Sequence, residues 1–354
     1  MKLTIFGLTL SSSWGNGHAT LWRGLVRALG RAGHEVVFFE RDVPYYAQHR
    51  DLPSIPDGTL VLYAQWDDVL PVARRHLAAS DAVIITSYCP DAIAATRLLD
   101  EARGLRVFYD LDAPVTLARL SRGERVDYIP EDGLSAFDLV LSYTGGAALD
   151  GLRDRLGARH VAPLYGHADP AVHCPAQVVP RYRADLSYLG TYASDRQRAL
   201  EELFIEPARR CREQRFVIGG SGHPPEFPWV ENVWFVRHVA PPEHAAFYSS
   251  SRLTLNVTRA DMAAMGFCPS GRLFEAAACG TPVLSDTWEG LDSFFTPGEE
   301  ILLARTREDA IAALELPPGE LARIAMAARQ RVLDEHSSAH RVRELLSLLD
   351  RAAA

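Results

Sequence analysis

The chain of 354 residues predicts two doubly wound α/β domains in succession, each built on a parallel sheet. Short apolar runs alternate with helical patterns in both halves of the sequence, as strands buried on both faces do. A proline-rich passage from Pro163 to Pro180 interrupts that alternation once and marks the connection. The length and an apolar fraction of 47% suffice for two cores of ordinary size. Domains are expected over 1–170 and 171–339.

The first strand is expected from Leu3 to Leu10. The opening MKLTIFGLTLSSS is too short an apolar run for a signal peptide, contains Gly7 and leads straight into a glycine loop. Leu21, Leu25, Ala28, Leu29 and Ala32 then recur at helical spacing, with Arg23, Arg27 and Arg31 expected on a solvated face and Gly33 closing the helix. Further strands are expected at Glu35–Phe39, Leu60–Tyr63, Ala82–Thr86, Arg106–Tyr109 and Leu139–Tyr143. After the connection, strand patterns resume at Asp185–Leu189, Arg215–Ile218, Val233–Val236, Leu253–Val257 and Pro282–Ser285. Helices are expected between them at Ser194–Arg212 and Glu243–Ser251. From Pro318 the chain reads as helical, and Val342, Leu345, Leu346 and Leu349 form a stripe that needs a surface to bury it.

A net charge of -8 argues against nucleic acid as a main partner, because neutralising phosphates needs a basic surface that the chain lacks in bulk. That leaves room only for a local basic patch, and no nucleic acid partner is expected. No run approaches the roughly 18 apolar residues of a membrane span, so membrane contact is expected to be peripheral at most. Cys89, Cys174, Cys211, Cys268 and Cys279 are odd in number and lack metal-ligand spacing, which fits reduced thiols in the cytoplasm. His336 and His340 stand four apart, but with no third ligand in view they read as a solvated helical face.

The densest signal is Cys268–Asp286, CPSGRLFEAAACGTPVLSD. Ser270 is a plausible N-cap for a helix starting at about Gly271, Gly280 suits the left-handed residue past its end, and Pro282 forbids continuation. The N-terminus of such a helix gathers free N–H groups and partial positive charge, the geometry an anionic phosphate wants, and Arg272 adds a full charge. Leu273, Ala276 and Ala277 form an apolar face. Glu275 therefore projects elsewhere and can accept hydrogen bonds from sugar hydroxyls. Cys279 in this helix reads as core.

At these residues the sequence resembles the C-terminal domain of nucleotide-sugar glycosyltransferases of the two-domain GT-B fold, in the glycosyltransferase group 1 family, and most nearly the CgeB-like (spore maturation protein) group. FEAAACGTPVLSD is similar to the family phrase in which a glutamate holds the donor ribose, and Glu275 sits at that glutamate. The wider pattern runs from Asn256-Val257-Thr258-Arg259 through Gly290-Leu291 and Phe294-Phe295 to Pro297-Gly298. LYGHADPAVHCP in the connection resembles the family's hinge phrase. A second glutamate, common eight positions earlier in retaining relatives, is replaced by Phe267. The resemblance implies two Rossmann-like domains facing a cleft, a C-terminal helix over 340–354 that returns to the N-terminal domain, an acceptor-side first domain and a donor-binding second one.

Ligands of open parallel sheets collect at the C-terminal ends of strands, so the loops there supply the remaining candidates. Gly15 and Gly17 allow close backbone approach before His18, which the resemblance places near the acceptor and which suits a general base. Asp110 and Asp112 follow a strand and could hold His18 in its reactive tautomer, cap a helix, or, as a D-x-D pair, bind a metal. The metal reading is disfavoured because no further ligands accompany them. Gly190, Thr191 and Tyr192, together with Gly220, offer backbone amides to phosphate or base. His238 ends the strand where the family binds the nucleobase through main-chain groups. Arg259 is a diphosphate ligand or a surface ion pair, and Ser270, Gly271, Arg272 and Glu275 complete the donor set. The expectation is a metal-independent, cofactor-free transferase acting on a nucleotide-sugar donor and an acceptor that is a glycan, protein, lipid or small molecule. A nucleotide-sugar epimerase and a non-catalytic nucleotide-sugar-binding protein remain alternatives.

Overall fold

The computed structural model describes residues 1–354. The chain divides into two compact units, Met1–Ser13 with Gly17–Tyr165 and Ser338–Ala354, and Trp14–Asn16 with Gly166–Ser337.

The first unit is a parallel sheet of seven strands, β1 Lys2–Gly7, β2 Glu35–Arg41, β3 Thr59–Tyr63, β4 Ala82–Thr86, β5 Leu105–Asp110, β6 Leu139–Ser142 and β7 Val161–Pro163, in the order β3-β2-β1-β4-β5-β6-β7. Ile5 of β1 lies opposite Phe38 and Ile84 on its two neighbours. These side chains share one face with Leu3 and Val107, and there they pack on Trp22, Leu25 and Leu29 of the helix His18–Arg31. Val342, Leu345 and Leu349 of the helix Ser338–Ala353 enter the same core, so the C-terminal stripe is buried on the first sheet. The strand order reverses between β1 and β4, which brings the loops after β1, β4 and β5 together at the carboxyl end.

The second unit holds a parallel sheet of six strands, β8 Leu186–Leu189, β9 Phe216–Gly219, β10 Val233–Val236, β11 Thr254–Asn256, β12 Val283–Ser285 and β13 Leu302–Leu303, in the order β10-β9-β8-β11-β12-β13. Its switch point lies between β8 and β11. Both units are thus Rossmann-like doubly wound α/β folds.

Several local expectations are corrected. Arg23 does not lie on a solvated face: its side chain is 12% exposed, forks onto both Asp51 oxygens and donates to the Leu10 carbonyl. The helical stretch from Ser194 is not uniform. It widens into a π-turn at Glu201–Ile205 before resuming at Glu206–Arg210, where Pro207 has no amide to continue the ladder. His336 and His340 do not share a helix, since one helix ends at Glu335 and the next begins at Ser338. His336 is buried, with its ring centroid 4.8 Å from that of Phe274. No helix is long and apolar enough to cross a membrane.

Candidate functional site

In the first unit the loop after β1 is held by one buried carboxylate. Glu40, at the end of β2, accepts from the Thr9 and Ser11 hydroxyls and from the Leu10 and Ser11 amides at 2.5–2.9 Å. Asp51 takes the Ser13 amide and hydroxyl. The loop so clamped runs through Gly15, whose φ of +61° favours glycine, to Gly17 and His18. Gly17 has no positive φ, and open space surrounds the position a β-carbon would take, so nothing there demands glycine.

His18 opens its helix, and its Nε2 stands 3.8 Å from Asp112 Oδ2. Asp112 occupies the N-cap position of the helix Ala113–Ser121, yet its carboxylate makes no capping bond there and accepts instead from the Tyr88 hydroxyl at 2.9 Å. Asp110 takes other partners. Fully buried, it accepts the Asp112 amide through Oδ1 and leaves Oδ2 without a hydrogen-bond partner. Burial pushes its pKa up to about 6, against the pull of its hydrogen bonds. The structure therefore brings Asp112, not Asp110, to His18. Tyr88, absent from the sequence candidates, lies in the loop after β4. Its only local signal is its place two residues after a buried apolar run.

In the second unit the two glycine loops cross. The Gly190 amide donates to the Gly219 carbonyl, Tyr192 to Ser221 and Gly220 to Val236, at 2.8–2.9 Å. These three amides are engaged within the protein, which corrects the expectation that they are offered to phosphate or base. What the glycines supply is close approach. A β-carbon on Gly220, where φ is +141°, would lie 2.1 Å from the Gly190 carbonyl oxygen, and one on Gly190 would lie 2.8 Å from Arg272 Nη2. Thr191, between them, is exposed. His238 lies two residues beyond β10 and is partly buried.

The helix Gly271–Ala278 starts where expected, and the Ser270 hydroxyl accepts from the Arg272 amide at 3.3 Å. Arg272 folds back over the sheet. Its Nε donates to the Leu189 carbonyl, its Nη1 donates to Asn256 Oδ1 at 2.8 Å, and its guanidinium lies over the Tyr188 ring. Nη2 is left toward Gly190. Arg259 forms the ion pair that was the alternative to a ligand role, with its Nε 2.9 Å from Asp195 Oδ2.

Glu275 lies on the same short helix, with its side chain only 12% exposed. The Tyr248 hydroxyl reaches Oε2 at 3.5 Å, His173 Nε2 stands 4.0 Å from Oε1, and His244 Nδ1 stands 3.9 Å from Oε2. Burial raises the Glu275 carboxyl to about 7, although the Arg272 charge and the Tyr248 hydroxyl draw it back. The ligand atoms of His173, His244 and Glu275 fall within 4.8 Å of one another, a spacing open to a cation. The ring of His173 argues otherwise. Its Nδ1 accepts the Asp169 amide at 3.3 Å, which puts the neutral ring's proton on Nε2, facing the carboxylate as a donor rather than facing a metal as a lone pair. His244 is set by its Nε2 at 3.2 Å from the Val239 carbonyl. Neither histidine stood among the sequence candidates, although His173 lies within the hinge phrase.

Residues 196–347 match the family described as Glycosyl transferase-like. No curated protein matches the chain. Among solved structures, sucrose-phosphate synthase from Thermosynechococcus elongatus aligns over 100% of both chains at 16% identity and a TM-score of 0.69. Anabaena HepE in complex with UDP-glucose aligns over 99% of this chain and 100% of its own at 14% identity and 0.66. An alpha-glucosyltransferase in complex with UDP-glucose and DNA containing an abasic site aligns over 99% of each chain at 12% identity and 0.69. The fold is therefore that of the GT-B glycosyltransferases. The last of these structures also corrects the exclusion of nucleic acid. A protein of this fold is seen with DNA, and net charge is a property of the whole chain, whereas phosphate contact needs only a local basic surface.

Proposed function

We propose that this protein is a glycosyltransferase that moves a sugar, of hexosyl type, from a nucleoside diphosphate to an acceptor hydroxyl without a metal cofactor, and that its nearest kin are the CgeB-like group. One observation carries the reading: Glu275 is a nearly buried carboxylate on a short helix whose N-cap is Ser270 and whose first turn carries Arg272. It is supported by the family match over 196–347 and by structural neighbours in complex with UDP and UDP-glucose.

In this mechanism Glu275 accepts hydrogen bonds from the ribose hydroxyls. The Gly271 helix terminus and Arg272 Nη2, beside Gly190, stabilise the negative charge that grows on the departing diphosphate. The acceptor oxygen attacks the anomeric carbon as the glycosidic oxygen leaves with both electrons of its bond. His18 takes the acceptor's proton, and Asp112 stabilises the imidazolium that results.

Calorimetry with uridine, UMP and UDP on two variants tests the donor assignment. Hydrogen bonds to a charged acceptor are the stronger kind, so Glu275→Gln should weaken every uridine ligand by roughly 1.5 to 3 kcal/mol. Arg272→Ala should weaken UDP and spare uridine. Unchanged affinities in a folded Glu275→Gln protein reject the assignment. Metal independence is checked separately, since EDTA should leave turnover nearly unchanged. Activity lost to EDTA and restored by magnesium would instead bring Asp110 and Asp112 forward as ligands.

A further inference from the structure

We propose that Tyr88 is the positioning residue of the His18–Asp112 pair, holding the Asp112 carboxylate in place and tempering its charge so that the imidazole stays neutral enough to accept a proton. The inference rests on the reading of His18 as the group that takes the acceptor's proton.

Tyr88 is one of two non-glycine residues with positive φ, at +63°. A left-handed backbone costs an L-residue with a β-carbon of order 1–2 kcal/mol, and it persists where the surroundings over-determine it. Here they do so from several sides. The adjacent Ser87 is tied at both ends, its amide donating to the Tyr109 carbonyl at 3.1 Å and its hydroxyl accepting the Leu111 amide at 2.8 Å. The Tyr88 ring packs against that of His18, with centroids 5.8 Å apart and planes 30° apart, and against Tyr128 at 5.1 Å and 56°. Tyr128 is anchored in turn by a 2.8 Å hydrogen bond with the Thr116 hydroxyl. The strained backbone thus delivers one ring to one place.

That place fixes the hydroxyl on Asp112 Oδ2, the same oxygen that faces His18 Nε2. The consequence is electrostatic. A carboxylate that already accepts a hydrogen bond has part of its charge satisfied, so it raises the pKa of a neighbouring imidazole less than a bare one does. Asp112 also forgoes the capping bond its position would allow, which a purely structural aspartate would make. The titratable groups around the pair are Asp110 at the end of β5, Tyr88 after β4 and Tyr128. The phenols of Tyr88 and Tyr128 are pushed up by burial and by Asp112 or Asp110, so both remain neutral donors.

The test is an NMR titration of the His18 ring in the full chain, which needs no donor or acceptor. Losing a hydrogen bond of about 1 kcal/mol should raise the His18 pKa by about half to one unit in Tyr88→Phe. The same change made in an Asp112→Asn background should produce no shift, because the charge it acts through is gone. A His18 pKa that stays put or falls in Tyr88→Phe overturns the proposal, as does an equal shift in both backgrounds. UDP affinity measured by calorimetry should be unchanged, and a melting curve like that of the wild type reports that the variant is folded. Turnover of His18→Ala with UDP-glucose is the separate control. Full activity there removes the base reading, whereas a loss of activity beside an unmoved titration removes only Tyr88.

Discussion

Under the proposed function Glu275 serves two states of the protein in opposite ways. Without ligand, its burial favours the neutral acid, and its carboxyl sits at about 7 against an ordinary 4.5. A raised folded value means the native state binds the proton more tightly than the unfolded chain does. The residue's contribution to stability is therefore full below pH 4.5 and is lost as pH rises through about 7. Ribose hydroxyls, in contrast, donate best to the ionised form. Two trends should follow. Wild-type thermal stability should fall relative to Glu275→Gln between pH 5 and 8, and wild-type UDP affinity should rise over the same range. Melting curves and calorimetry across that interval check both, and parallel melting trends in the two proteins would show that Glu275 is not the group concerned. The helix that carries Gly271 and Glu275, with Ser270 as its cap, could be found in the sequence because capping, glycine and proline signals crowd into one short segment. Tyr88, His173 and His244 could not be found that way. Each reaches its partner only through the fold, Tyr88 from the end of β4 to a residue after β5, and His173 from the connection to a helix about a hundred positions on.

At the scale of elements, strands were legible wherever an apolar run was long enough to exclude other readings. Ala82–Thr86 and Val233–Val236 match their expected bounds. Val161–Pro163 and Leu302–Leu303 are edge strands of three and two residues, too short to show a period, and they were missed. The run from Leu3 was expected to reach Leu10, but the strand ends at Gly7 because Glu40 captures the next amides and hydroxyls for the loop. No spacing rule foretells such a capture, since the carboxylate comes from another strand. The same limit applies to Gly190 and Gly220. As residues after strands they invited a phosphate-binding reading, yet their β-carbon positions are filled by a neighbouring loop and by Arg272. Glycine marks close approach without saying what approaches.

For the molecule as a whole, repetition was the strongest signal, because alternating strand and helix patterns leave few ways to build a parallel sheet. Charge was the weakest, since a global balance of -8 says little about a local surface. The order of the chain has a further consequence, which concerns synthesis. The helix Ser338–Ala353 completes the core of the first sheet, but it lies downstream of the entire second unit. At ordinary translation rates the first sheet must wait on the order of ten seconds or more for that helix. During the wait the sites that receive Val342, Leu345 and Leu349 stand open on the nascent chain. Ribosome-bound chains arrested at residue 337 should therefore be cut within residues 1–165 by a protease that spares the same segment in the full chain. Equal resistance would show that the first unit closes without its last helix. The first unit would then be completed only after the second has been made, so translation itself would set the order in which the two units mature.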